Sequence, residues 1–224
     1  MKKIKYLFFV LAAVLLGSCA KQITRGSQYS LMYQEKPTSI VIMPPINETN
    51  SVEAKDYFYT TMYMPLCEKG YYVFSPYLVM DLFQSESAYD SERFLDADLG
   101  TFRKVLGADA AFFTKIKSWE KNMVLGYIKV DVEYILRSTV SGQILYHREG
   151  VIKLNTQVHS SSPLLAIAAT AIRTAATDKI NAGRVCNSYV LQDFPSGKYK
   201  SDYIADSVQY AGKPLIKATV DASK

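Results

Sequence analysis

The stretch "LGYIKVDVEYILR", Leu125–Arg137, decides the fold class. Ile128, Val130, Val132, Tyr134 and Leu136 alternate with Lys129, Asp131, Glu133 and Arg137. This period of two predicts a strand with one face in a core and the other in water, as in an antiparallel sheet. Ser141-Gly142 is a hairpin turn leading into a second strand, Gln143–Leu154, and Ala111–Trp119 precedes the pair as a third. Upstream the period is nearer 3.6. "SIVIM", 39–43, is a short apolar strand stopped by Pro44-Pro45, which cannot continue a ladder. A helix follows from about Val52 to Lys69, interrupted or kinked near Pro65 and closed by Gly70. "YYVFS", 71–75, is a strand, Pro76 opens a helix, and another runs over Asp98–Leu106 to Gly107. Ser162-Pro163 caps a last helix that stops at Gly183. The order is β-α-β-α-α-β-β-β-α, an α/β (α+β) chain with a single mixed sheet packed with helices.

The N-terminus reads as a secretory leader. Lys2, Lys3 and Lys5 precede the apolar run Tyr6–Leu16, which is too short to span a bilayer, and Gly17-Ser18 is a small-residue cleavage site. Leu16-Gly17-Ser18-Cys19 resembles the bacterial lipobox, which implies acylation of Cys19 and cleavage before it. Two or three acyl chains hold a protein firmly where one holds it marginally. Ala20 is not aspartate, which by resemblance to lipoprotein sorting patterns indicates the outer membrane, with the body on the periplasmic face. The expected organisation is a signal peptide over 1–18, a lipidated tether over 19–37, an α/β domain over 38–183 and a C-terminal arm over 184–224.

Composition narrows the function classes. Most of the formal net charge of +5 belongs to leader lysines, so nothing calls for nucleic acid. Apolar residues make up 49% of the chain, enough for a packed body. Its 17 tyrosines fit sheet faces or a partner surface. Cys67 and Cys186 either pair, tying the C-terminal segment to the body, or stay as free thiols. No G-x-G-x-x-G, P-loop or G-x-S-x-G pattern occurs. His147 and His159 are too far apart in sequence to mark a metal site. No catalytic residue, metal or cofactor is expected, and the reading is non-enzymatic. Exposure logic nominates Pro44, Pro45 and Asn47, the helix bearing Tyr57, Tyr59 and Tyr63, and the arm with Phe194, Tyr199 and Tyr203 as partner surfaces.

"SIVIMPPINETN" (39–50), "MPLCEKGYYVFSPYLVMD" (64–81) and "LGADAAFFTKIKSW" (106–119) together resemble a bacterial family of outer-membrane lipoproteins without assigned function, including a neisserial surface-antigen candidate. The likeness runs from about Pro37 to Gly197, with a departure near "QDFPSGKYKSD" (192–202), where the family has a longer proline-glycine run. It implies a fold like the TolB N-terminal domain and CsgG, and a role as accessory or assembly factor of an envelope complex with a CsgG-like lipoprotein. The alternative is a regulator of a peptidoglycan synthase. A homo-oligomer also fits.

Overall fold

The computed structural model describes residues 22–86, 89–177 and 179–221. They form α1 (Arg25–Gln28), α2 (Ser30–Glu35), β1 (Ser39–Ile42), β2 (Ile46–Asn47), α3 (Ala54–Glu68), β3 (Tyr72–Val73) and α4 (Pro76–Ser85). There follow α5 (Gly100–Leu106), β4 (Ala110–Asn122), β5 (Tyr127–Ser138), β6 (Ile144–Asn155), α6 (Pro163–Ala176), α7 (Lys179–Val190) and β7 (Leu215–Asp221). All strands belong to one mixed sheet of order β3-β1-β4-β5-β6-β7, with β2 also pairing β4. The β4-β5-β6 meander is antiparallel; β1 and β2 run parallel to β4, β3 to β1, and β7 to β6.

Helices cover both faces of the β1 end of the sheet, so β1 has no wet side. Ile40 and Ile42 enter one core with α3 and α7, while Val41 and Met43 enter a second with α4 and α5. A strand buried on both faces reads as an unbroken apolar run, which is why "SIVIM" shows no alternation. Farther along the meander only the α3/α7 side is covered, and the alternation expected over 125–137 appears. Ile128, Val130, Val132 and Tyr134 are fully buried. On the other face, Lys117 bridges Glu133 and Glu149 at 3.1 Å each, and His147 Nε2 lies 2.8 Å from Glu133. Burial would raise the Glu133 pKa, but His147 and the lysines hold the carboxylate below its usual range. A register shift between Ile116 and Ser118 lets Ile116 and Trp119, an odd number of residues apart, pair with Val132 and Val130 on the core side.

Asp109 joins the halves of the chain. Its carboxylate accepts from the Thr38 and Ser39 amides at 2.9 and 3.0 Å and from Arg103 at 2.8 Å. Burial opposes ionisation there, yet these donors lower its pKa. Gly107 closes α5 at φ 72°.

Three expectations are corrected. The tether proposed over 19–37 is folded from Thr24 onward: α1 and α2 bring Tyr29 and Met32 into the main core, and the Tyr29 ring sits 4.8 Å from that of Tyr146. The helix opened by Pro163 does not run to Gly183. It ends at Ala176, Thr177 turns extended, and α7 carries Gly183 in its interior. A Cβ at Gly183 would lie 3.1 Å from Thr61 Oγ1 and 3.3 Å from the Tyr57 carbonyl, so this glycine lets α7 pack closely on α3. The arm over 184–224 is not an arm: Phe194 is fully buried, and β7 extends the sheet.

Candidate interaction surfaces

The nominated residues fall into buried and exposed sets. Pro44 and Pro45 are buried. Asn47 is half-buried and shapes its own loop, accepting from Thr49 and donating to the Ser51 carbonyl at 2.8 Å. Tyr59 is buried, its hydroxyl donating to the Pro76 carbonyl at 2.8 Å, and burial pushes its pKa up. Tyr57 and Tyr63 are half-buried on α3, with Tyr63 beside Cys67. Phe194 stacks against Tyr71, Phe112 and Tyr146. Tyr203 is half-buried, and only Tyr199, 67% exposed, lies open. Pro44, Pro45, Tyr59 and Phe194 are therefore core residues. An aromatic or proline in a loop gives no sequence signal of its own about which way it faces.

Cys67 and Cys186 are both free thiols. Helices α3 and α7 run parallel: Gly183 lies against Tyr57, and Asn187 donates to Thr61 Oγ1 at 2.9 Å. Cys67 is six residues beyond Thr61, roughly 9 Å farther along the helix than the level of Cys186, too far for a disulfide. Full burial pushes the Cys186 thiol pKa well up, as in an inert structural cysteine. Cys19 lies outside the described residues.

The segment after α7 is fastened by charge. The Arg148 side chain is fully buried. It pairs with Asp193 and donates to the Tyr29 hydroxyl and the Ala211 carbonyl at 2.5 Å each. Asp206 accepts from Arg25 at 3.0 Å and from the Ser196 amide at 2.8 Å. Gly197 crosses Gly70 so closely that a Cβ on Gly197 would meet the Gly70 carbonyl at 2.4 Å.

Helix α6 presents a further surface, none of whose residues is among those nominated from sequence. Its inward face is polar. Thr170 and Thr174 are buried; Thr174 lies 2.5 Å from Thr156 Oγ1, and Thr170 Oγ1 accepts from the Val158 amide at 2.9 Å. Arg173 donates to the Gln157 carbonyl at 3.1 Å, and Lys121 to the Ala175 carbonyl at 3.2 Å. Its outward face is apolar: Leu164 is 80% exposed, Ile172 70%, and Leu165 and Ile167 are also open. The neighbouring β4–β5 turn adds exposed Met123, Val124 and Leu125, with the Leu125 carbonyl bonded to Gln157. Apolar side chains gathered in this way make α6 a candidate interaction surface. The helical period was legible, but not which face would turn inward. Elsewhere, a cleft of about 460 Å³ between α4 and α5 is lined mainly by Leu82, Phe83, Phe94, Phe102 and Val105. Among the described residues no group of three or more His, Cys, Asp or Glu side chains converges as metal ligands, and no helix is long and apolar enough to cross a membrane.

Fold and surface define a non-repetitive α+β domain with one mixed sheet, helix-covered and bearing an open apolar helix. The chain belongs to the family described as "Putative lipoprotein GNA1162-like", whose model matches residues 27–191. A protein of Neisseria meningitidis serogroup B, described as "Putative lipoprotein NMB1124/NMB1162", is 28% identical over 116 residues. That match spans 51% of this chain and about half, 54%, of the relative. The crystal structure of the lipoprotein GNA1162 from Neisseria meningitidis aligns over 63% of this chain and 100% of that one, at 20% identity and TM-score 0.49. The LpoB C-terminal domain from Salmonella enterica aligns over 57% of this chain and 94% of that one, at 16% identity and TM-score 0.41.

Proposed function

We propose that this chain is a lipid-anchored lipoprotein of the outer membrane, its body on the periplasmic face, acting as a non-enzymatic accessory or assembly factor of an envelope complex. The observation that carries the reading is α6, whose buried threonines bond the segment just after β6 while Leu164, Leu165, Ile167 and Ile172 stay exposed. Family membership supports the anchored lipoprotein. The partner we propose is a CsgG-like lipoprotein, following the family resemblance, as does the kinship in fold to CsgG and the TolB N-terminal domain. Acyl chains on Cys19, each buried CH₂ contributing about 0.8 kcal/mol, restrict the protein to one membrane surface. This confinement raises its effective concentration for any partner anchored there. The apolar face of α6 then supplies contact area, with Lys121 and Arg173 on its polar side.

In-cell crosslinking followed by mass spectrometry tests this reading with wild type, Cys19→Ala and Leu164→Gln/Ile172→Gln. The expected result is a CsgG-like lipoprotein recovered with wild type and lost from both variants. Recovery unchanged in the α6 variant would reject α6 as the docking face. A peptidoglycan synthase in place of the lipoprotein would make the protein a synthase regulator, and a second copy of this chain would make α6 a self-association face.

A further inference from the structure

The first described residues are fixed to one surface loop. Thr24 bridges Tyr210, the Ala211 amide donates to the Ile23 carbonyl at 3.0 Å, and the Arg25 amide donates to the Gln209 carbonyl at 2.8 Å. The Arg25–Asp206 ion pair locks the same junction, the Asp206 side chain being fully buried. Cys19 lies four residues before Ile23, so even a fully extended chain reaches only about 14 Å. Lipid attached at Cys19 therefore keeps this loop close to the headgroups.

The side chains displayed there suit that position. Ile23 is 53% exposed, Val208 78%, Tyr210 49% and Ile204 41%. Lys213 and Lys217, just beyond in the chain, are exposed. The acidic groups of this region are engaged: Asp206 with Arg25, and Asp193 with Arg148. Asp202, half-buried, is held ionised by hydrogen bonding around Ser196 and by Lys200. Ile204 has φ 65°, a sparsely populated region that is costly for a β-branched residue. Helix α6 lies at the other end of β6. Arg148 holds Tyr29, whereas α6 docks on Thr156, and the seven residues from Arg148 to Asn155 span about 23 Å.

We propose that Ile23, Ile204, Val208 and Tyr210, flanked by Lys213 and Lys217, form a foot that rests on the bilayer holding the Cys19 acyl chains, with the lysines against anionic headgroups. The inference rests on the anchoring proposed above. Tyrosine and aliphatic side chains settle at the headgroup boundary, and nearby lysines are drawn to an anionic surface. The foot sets the orientation of the body, turning the α6 end away from the membrane toward a partner.

The test uses the mature lipidated chain in vesicles of phosphatidylcholine and phosphatidylglycerol, with or without brominated acyl chains. Two variants, Val208→Trp and Leu164→Trp, share the native Trp119 background. Flotation with the vesicles, together with bromine quenching of Val208→Trp but not of Leu164→Trp beyond that background, is the expected result. Lys213→Glu/Lys217→Glu introduced into Val208→Trp should reduce the quench. Flotation with equal quenching of both variants, or with none at either, would overturn the foot alone. Failure of the wild type to float would overturn the anchoring and the foot together.

Discussion

Helices α6 and α7 follow one another in the chain, and both are rich in small residues, yet they are built with opposite polarity. Helix α7 buries Ala182, Gly183, Cys186 and Val190 between α3 and the sheet, with Asn187 as a buried polar anchor that accepts from the Tyr134 hydroxyl. Helix α6 buries Thr170 and Thr174 and leaves its leucines and isoleucines outside. The lesson is that an amphipathic period fixes that two faces exist, while the receiving surface decides which is inward. The receiving surface for α7 is an apolar sheet face and a helix. For α6 it is the polar end of β6, where Thr156 and the 157–158 backbone need hydrogen-bond partners.

The strongest way to break the contrast is at the C-terminal end of α7, where Arg148 pins the following turn through Asp193. Arg148→Ala removes a fully buried guanidinium and leaves the part-buried Asp193 carboxylate and the Ala211 carbonyl without their donor, and should lower stability by about 3–5 kcal/mol in urea denaturation. Gly183→Leu pushes a side chain into the α3–α7 contact and should cost about 1–3 kcal/mol by overpacking. On α6, Leu164→Gln/Ile172→Gln should change stability by no more than about 0.5 kcal/mol per site, since both residues are exposed. A large loss there would show that α6 is part of the core after all.

A graded test is a pH dependence on the α3 side of the same contact. Burial, with help from Lys200 and Arg25, lowers the Lys69 pKa to about 8, while its ammonium donates to the Gln192 carbonyl at 2.5 Å. Between that value and the unfolded value near 10.4, the unfolded chain binds more protons at this site than the native one. The contribution of Lys69 to stability therefore rises with pH across this window. The melting temperature of wild type relative to Lys69→Met should accordingly rise from pH 8 to pH 10.

Much of the sheet was legible, because strands half-buried in a meander carry their alternation openly: β4, β5, β6 and the Ser141-Gly142 turn fall where the pattern places them. The "SIVIM" strand was legible by its length and its prolines. Strand β3 lies inside the "YYVFS" run that reads as a strand, whereas the two-residue β2 is defined by its partner alone. Among the nominated surface residues, Tyr199 lies exposed, whereas Tyr59 and Phe194 turned inward, since an aromatic residue serves a core and an interface equally well. The buried Arg25–Asp206 pair and the part-buried Arg148–Asp193 pair join residues 181 and 45 positions apart, and no local pattern announces such partners.

The sequence by itself determined the elements whose burial is periodic and local: the antiparallel meander, helix α3, the glycine ends at Gly70 and Gly107, the proline starts of α4 and α6, and the lipobox-like start. Only the tertiary structure decided that the segments on either side of the expected domain complete it. Tyr29 and Phe194 enter its core, β7 extends its sheet beside β6, and α6 turns its apolar face outward. The physical reason is that period and punctuation are properties of a dozen neighbouring residues. The inward direction of a face, and the partner of a buried charge, are set by surfaces that exist only once distant parts of the chain have met.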